Sequence, residues 1–130
     1  MAIINNLPTR GGVKMELLWS NPRPTSAMAS STNVPFDFTK YDMVFVQVKP
    51  YSTYADSNAR FIQVTKVDKW LGVHVSGDTF ASYRNITVTD AGITFGTTAG
   101  YSYHNGGNAT GTSYCIPIAV YGYKGKIEIL

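Results

Sequence analysis

The sequence predicts an all-β protein: a single-domain, antiparallel β-sandwich, jelly-roll-like, of about eight strands. Three observations predict it. Apolar and polar residues alternate with period two along several short stretches, as a half-buried strand requires. Those stretches are rich in Val, Ile, Thr, Tyr and Phe, which suit a pleated, half-covered surface. Turn residues interrupt them at intervals of roughly 8–12 residues, the spacing of sandwiches and barrels.

Residues 1–12 read as a lead-in, with Asn5-Asn6-Leu7-Pro8 and Gly11-Gly12 and little periodicity, and residues 13–130 as the sandwich domain. In Val13–Trp19 the residues Val13, Met15, Leu17 and Trp19 alternate with Lys14 and Glu16, a pattern that assigns them to one face. Pro22 and Pro24 end this strand because proline cannot donate to a ladder, and residues 21–35 read as a polar surface excursion. Asp42–Lys49 is the clearest strand, its Val44, Val46 and Val48 alternating with Met43, Phe45 and Gln47 until Pro50. Arg60–Val67 continues the pattern; residues 51–71 lack Gly and Pro and leave room for a short helix, which the β-branched second half opposes.

Gly77-Asp78 suggests a hairpin between Trp70–Ser76 and Phe80–Thr89. Within Arg84–Thr89 the alternation puts Ile86 and Val88 inward and Asn85, Thr87 and Thr89 outward. Asp90-Ala91-Gly92 turns the chain into Ile93–Phe95, and the Gly-, Thr- and Asn-rich stretch 97–112 reads as a long polar loop. Tyr114–Tyr123 returns to strand, Gly125 turns it, and Ile127 and Ile129 close the pattern.

At 130 residues the chain suits one domain able to bury a core without staples. The formal charge of +3 comes from basic residues scattered singly, not clustered to track a phosphate backbone, so nucleic acid is not an expected partner. The N-terminus carries no signal-peptide pattern, and no stretch approaches the ~18 apolar residues of a membrane helix, so membrane insertion is not expected either. The single cysteine, Cys115, lies among apolar residues and reads as a small buried side chain.

No constellation for catalysis stands out, and the expectation is a non-enzyme without cofactor or metal. His74 and His104 have no further ligands at zinc spacing. Glu16 and Glu128 read as solvated strand positions, and Asp56, Asp68, Asp78 and Asp90 as turn residues bonding their own backbone. What remains is aromatic. Nine Tyr and two Trp are too many for one small core, so some serve contacts, either with sugars or between subunits. Tyr121 and Tyr123, in a strand, suit subunit packing. Tyr101, Tyr103, His104, Asn105 and Asn108, in the presumed loop, are the candidate ligand-binding residues, because binding residues concentrate on loops.

The order of several motifs is also informative. Leu17-Leu18-Trp19-Ser20-Asn21-Pro22-Arg23-Pro24-Thr25-Ser26 comes first, then Phe38-Thr39-Lys40-Tyr41-Asp42 before the Val-rich strand. Ile86-Thr87-Val88-Thr89-Asp90-Ala91-Gly92-Ile93-Thr94-Phe95-Gly96 and Ile116-Pro117-Ile118-Ala119-Val120-Tyr121-Gly122-Tyr123-Lys124 follow. Over residues 15–125 this set resembles a module of minor structural and tail-fibre proteins of bacteriophages, and Ile4-Asn5-Asn6-Leu7-Pro8 is similar to segments that precede fibre modules. The resemblance implies a β-sandwich fibre tip, assembled as a homotrimer with other virion proteins, made in the bacterial cytoplasm and carried on the virion. Its expected role is host attachment by binding a cell-surface polysaccharide; the alternative is a decoration or connector protein that binds no ligand.

Overall fold

A computed structural model describes residues 14–29, 31–56, 59–74, 80–102 and 107–125. It is an antiparallel sandwich of two sheets. Nine strands follow one another: β1 (Lys14–Ser20), β2 (Thr32–Pro35), β3 (Met43–Tyr51), β4 (Arg60–Val64) and β5 (Trp70–His74), then β6 (Phe80–Thr89), β7 (Gly92–Ser102), β8 (Gly107–Gly111) and β9 (Tyr114–Lys124). The first sheet has the order β1-β9-β3-β4. The second has the order β2-β7-β6-β5, and β8 pairs with the part of β7 beyond β2. The first two strands of the chain thus pair with late ones, the wrapped arrangement of a jelly roll, while β3–β4 and β5–β6–β7 are local meanders.

Alternation explains the core. Val44, Val46 and Val48 of β3 are fully buried, as are Val120 of β9 and Ile93 and Phe95 of β7. Leu71, Val73, Ile86 and Val88 complete the layer between the sheets. A buried hydroxyl joins the layers, Ser82 Oγ donating to the Pro50 carbonyl at 2.8 Å. Between β6 and β7 the chain reverses over Asp90-Ala91, where Gly92 takes φ +135° against the Val34 backbone, a site with no room for a side chain.

Three features depart from the sequence reading. Residues 21–35 are not one excursion: Met28 is buried and Thr32–Pro35 forms β2 against β7, because Val34 fills the core beside Ile93. Residues 51–71 hold no α-helix among those described, in line with their β-branched second half; Asp56 lies in a 3-10 turn, its carbonyl accepting from the Ala59 N–H at 3.0 Å, and another 3-10 turn at Phe38–Lys40 is capped by Asp37 through the Thr39 N–H at 3.0 Å. The single face assigned to Met15, Leu17 and Trp19 is broken. Leu17 pairs with Tyr121 but Trp19 with Val120, so Leu18 is an extra residue, a bulge that turns Trp19 onto Phe95 in the core. Finally, the polar loop at 97–112 is largely strand, with β7 running to Ser102 and β8 returning from Gly107.

Candidate functional site

β5 and β6 set up the second sheet's outer face. Leu71 and Val73 point into the core from β5, and Ser82, Arg84, Ile86 and Val88 from β6. The period of two then sends Trp70, Gly72, Tyr83, Asn85, Thr87 and Thr89 to the other side, where all are exposed. Trp70 is 68% and Tyr83 47% exposed, unusual for rings of this size on a strand.

Register organises these residues into rows. Trp70 pairs with Asn85 across β5 and β6. One step along, Gly72, Tyr83, Ala99 and Thr110 are successive partners across β5, β6, β7 and β8. The next row of the register holds His74, Ala81, Tyr101 and Asn108. A Cβ added to Gly72 would meet nothing within 4 Å. Gly72 is thus an open floor beside two exposed rings, a shallow platform and not a cleft.

A bulge stiffens the platform. Arg84 pairs with Thr98 but Ile86 with Phe95, so Asn85 stands opposite both Gly96 and Thr97. Asn85 Nδ2 donates to Thr97 Oγ1 at 2.8 Å on the outer side. Beneath, Arg84 carries the opposite side of the same strand. Its Nε donates to the Cys115 carbonyl at 2.9 Å and its Nη1 to the Gly96 carbonyl at 2.9 Å. Its Nη2 donates to the carbonyls of Thr112 and Tyr114 at 3.2 and 3.1 Å. Desolvation holds this guanidinium down at about 10. Burial pushes the Cys115 thiol up to about 12, so it stays protonated and unreactive at neutral pH.

Of the five candidate ligand residues, the fold brings Tyr101 and Asn108 together as direct cross-strand partners, one row from Tyr83. Tyr103, His104 and Asn105 lie outside the described residues. Trp70, Gly72 and Tyr83 were not among the candidates, although the alternation of Leu71 with Val73 and of Ile86 with Val88 implies their outward positions.

Other sequence assignments also change. Arg84 and Lys49, two of the singly scattered basic residues, are both fully buried. Lys49 Nζ bonds the Tyr54 carbonyl and Asp56 Oδ1, each at 3.0 Å, so Asp56 is an ion-pair partner and not only a turn residue. Asp90 pairs with Lys66 at 2.7 Å beside the β6–β7 turn. Asp68 does act locally, accepting from the Thr65 N–H at 2.7 Å. Glu16 is not merely solvated: it accepts from the Tyr41 hydroxyl, which raises that phenol to about 12.

Among the described residues no group of three His, Cys, Asp or Glu side chains converges as a metal site would require. No helix of the described chain is long and apolar enough to cross a membrane. The chemistry on the platform is aromatic rings, amides and hydroxyls over an open glycine. Comparison with protein-family models, curated proteins and solved structures gives no match to this chain.

Proposed function

We propose that the protein is a non-enzymatic adhesion module of a bacteriophage virion that binds host cell-surface glycan through the β5–β6–β7–β8 platform. The observation that carries glycan binding is the pair of exposed rings, Trp70 and Tyr83, flanking Gly72 on a sheet face. A pyranose presents a flat apolar CH face that covers an aromatic ring, while its hydroxyls exchange hydrogen bonds with amides and hydroxyls at the rim. Asn85 and Thr97 supply such groups here, and Asn108 and Tyr101 stand one row away from Tyr83. The virion context, attachment role and homotrimer are supported by the ordered motifs of residues 15–125 alone. Shallow sites of this kind bind weakly one at a time, and an oligomer strengthens them through effective concentration.

A decoration or connector protein without ligand is the second reading, favoured by the apolar outer face of the other sheet, where Leu17 is 49% exposed.

Binding of the purified protein to host cells and to a glycan array tests the first reading. Trp70→Ala and Tyr83→Ala should each weaken binding at least tenfold, about 1.4 kcal/mol, with thermal stability unchanged. Stripping the cells of surface polysaccharide should remove the wild-type signal. Blank arrays and cells, or full binding by both variants, would overturn the platform.

A further inference from the structure

Register sets the aromatic residues of the second sheet on an oblique line. Trp70 of β5 stands opposite Asn85, and Tyr83 of β6 stands opposite Gly72, the next position of β5 with the same parity as Trp70. From Trp70 to Tyr83 is therefore one strand across and one row along. The same step from Tyr83 leads to position 101 of β7, a tyrosine, because Ala81 pairs with Tyr101. Three aromatic positions thus fall on three successive strands along one diagonal. Diagonal neighbours in an antiparallel sheet lie about 7–8 Å apart. The positions beside this line are Gly72 and Ala81 on one side and Asn85 and Ala99 on the other, so small residues border it.

Neither Trp70 nor Tyr83 packs on another ring, which leaves both available to a ligand. The line is also open at its Trp70 end, since β5 is the edge strand of its sheet. A terminal sugar is held by a pocket that covers most of its surface, whereas this face covers one side only. Charge is missing as well. The described outward residues of β5 and β6 are Trp70, Gly72, Tyr83, Asn85, Thr87 and Thr89, none of them ionised. Nearby, Lys66 is already neutralised by Asp90 at 2.7 Å, so an acidic chain finds no free cation there to hold it.

We propose that the platform takes an internal, uncharged stretch of a polysaccharide, laid obliquely across β5, β6 and β7 with successive sugar units over Trp70 and Tyr83 and the chain running on past position 101. Rings rooted about 7–8 Å apart on one face each cover a different unit, so a single sugar meets only part of the surface. The inference rests on the glycan reading above and adds to it which class of glycan is held and by which part.

The test titrates the purified protein by calorimetry with dextran, galactan, mannan and rhamnan as neutral chains and with polygalacturonate and hyaluronate as acidic ones. At least one neutral chain should bind more tightly than either acidic chain. Its affinity should change by less than about twofold between about 0.05 and 0.5 M sodium chloride, because no ionic contact is there to be screened. Oligosaccharides cut from the bound chain should gain at least about tenfold in affinity from one unit to three, and blocking both chain ends should make no difference. Tyr83→Ala, in the middle of the line, should flatten that climb, while Trp70→Ala and Tyr101→Ala should each end it at two units. Circular dichroism checks that each variant folds, and Trp70 and Tyr83 are exposed positions that tolerate truncation. Binding by the acidic chains alone, by none of the six chains, or by one sugar unit as tightly as by three overturns the inference. Full binding by both Trp70→Ala and Tyr83→Ala counts against the platform itself. Weakened binding by both, with a flat length series in the wild type, counts only against the internal stretch.

Discussion

At Arg84 the interior accepts a full positive charge that, among the described residues, meets no carboxylate. Four main-chain carbonyls solvate it, from Gly96, Thr112, Tyr114 and Cys115. Hydrogen bonds from a charged donor are the stronger kind, and the planar guanidinium can serve several acceptors at once. It also holds an irregular stretch in place, since Cys115 has φ 47°, rare for a residue with a side chain. Arg84→Met keeps much of the volume but leaves those carbonyls dry, so it should lower unfolding free energy by about 3 kcal/mol in urea titrations. Cys115 gives a pH signature. Its thiol ionises near 9 when unfolded but only near 12 in the fold, so above pH 9 the unfolded chain releases a proton the native one keeps. Stability should therefore fall from pH 9, by about 1 kcal/mol at pH 10, and Cys115→Ala should lose less over the same range. Arg84, lowered to about 10, opposes this trend above that pH, which makes 9–10 the clean window. The sequence reading put Ile86 and Val88 inward but did not extend their parity to position 84, where a charge argues for the outside and the carbonyl cage lies largely on segments distant in sequence.

The elements most readable from sequence were those whose own residues alternate, such as β3 and the second half of β6. β7 and β8 were harder. Thr97–Ser102 and Gly107–Gly111 contain small and turn-favouring residues, and they pair because β6 offers a long, well-anchored neighbour. The five proposed contact residues were chosen as loop residues, so Tyr101 and Asn108 belong to the same hairpin for a reason other than the one that selected them. The bulge in β1 was equally hidden, since a one-residue insertion leaves no local mark. Gly72 connects element to site. It sits mid-strand, exposed, with open space above it, where glycine gives up strand propensity without a steric reason. Gly72→Thr should raise the unfolding free energy measured by urea titration by up to about 1 kcal/mol, and weaken glycan binding at the same time. Stabilisation with undiminished binding would mean that the floor beside Trp70 and Tyr83 is not used.

For the molecule as a whole, the sandwich separates three chemistries by layer: an aliphatic core, an apolar outer face on β1-β9-β3-β4, and a ring-and-amide face on β5-β6-β7-β8. Composition suggested surplus aromatic rings but not how they divide, because the division depends on which sheet each strand joins. That pairing has a consequence for how the protein is made. β9 lies between β1 and β3, so the first strand has no neighbour in its sheet until nearly all of the described chain has been synthesised. While the ribosome is still adding residues, β3 and β4 can form their hairpin, but the valines on its inner side have half their cover missing. The β5–β6–β7 meander can assemble earlier because its contacts are local. Emergence of β9 is then the event that closes the first sheet, and a chain halted just before Tyr114 presents an apolar surface for chaperones or aggregation.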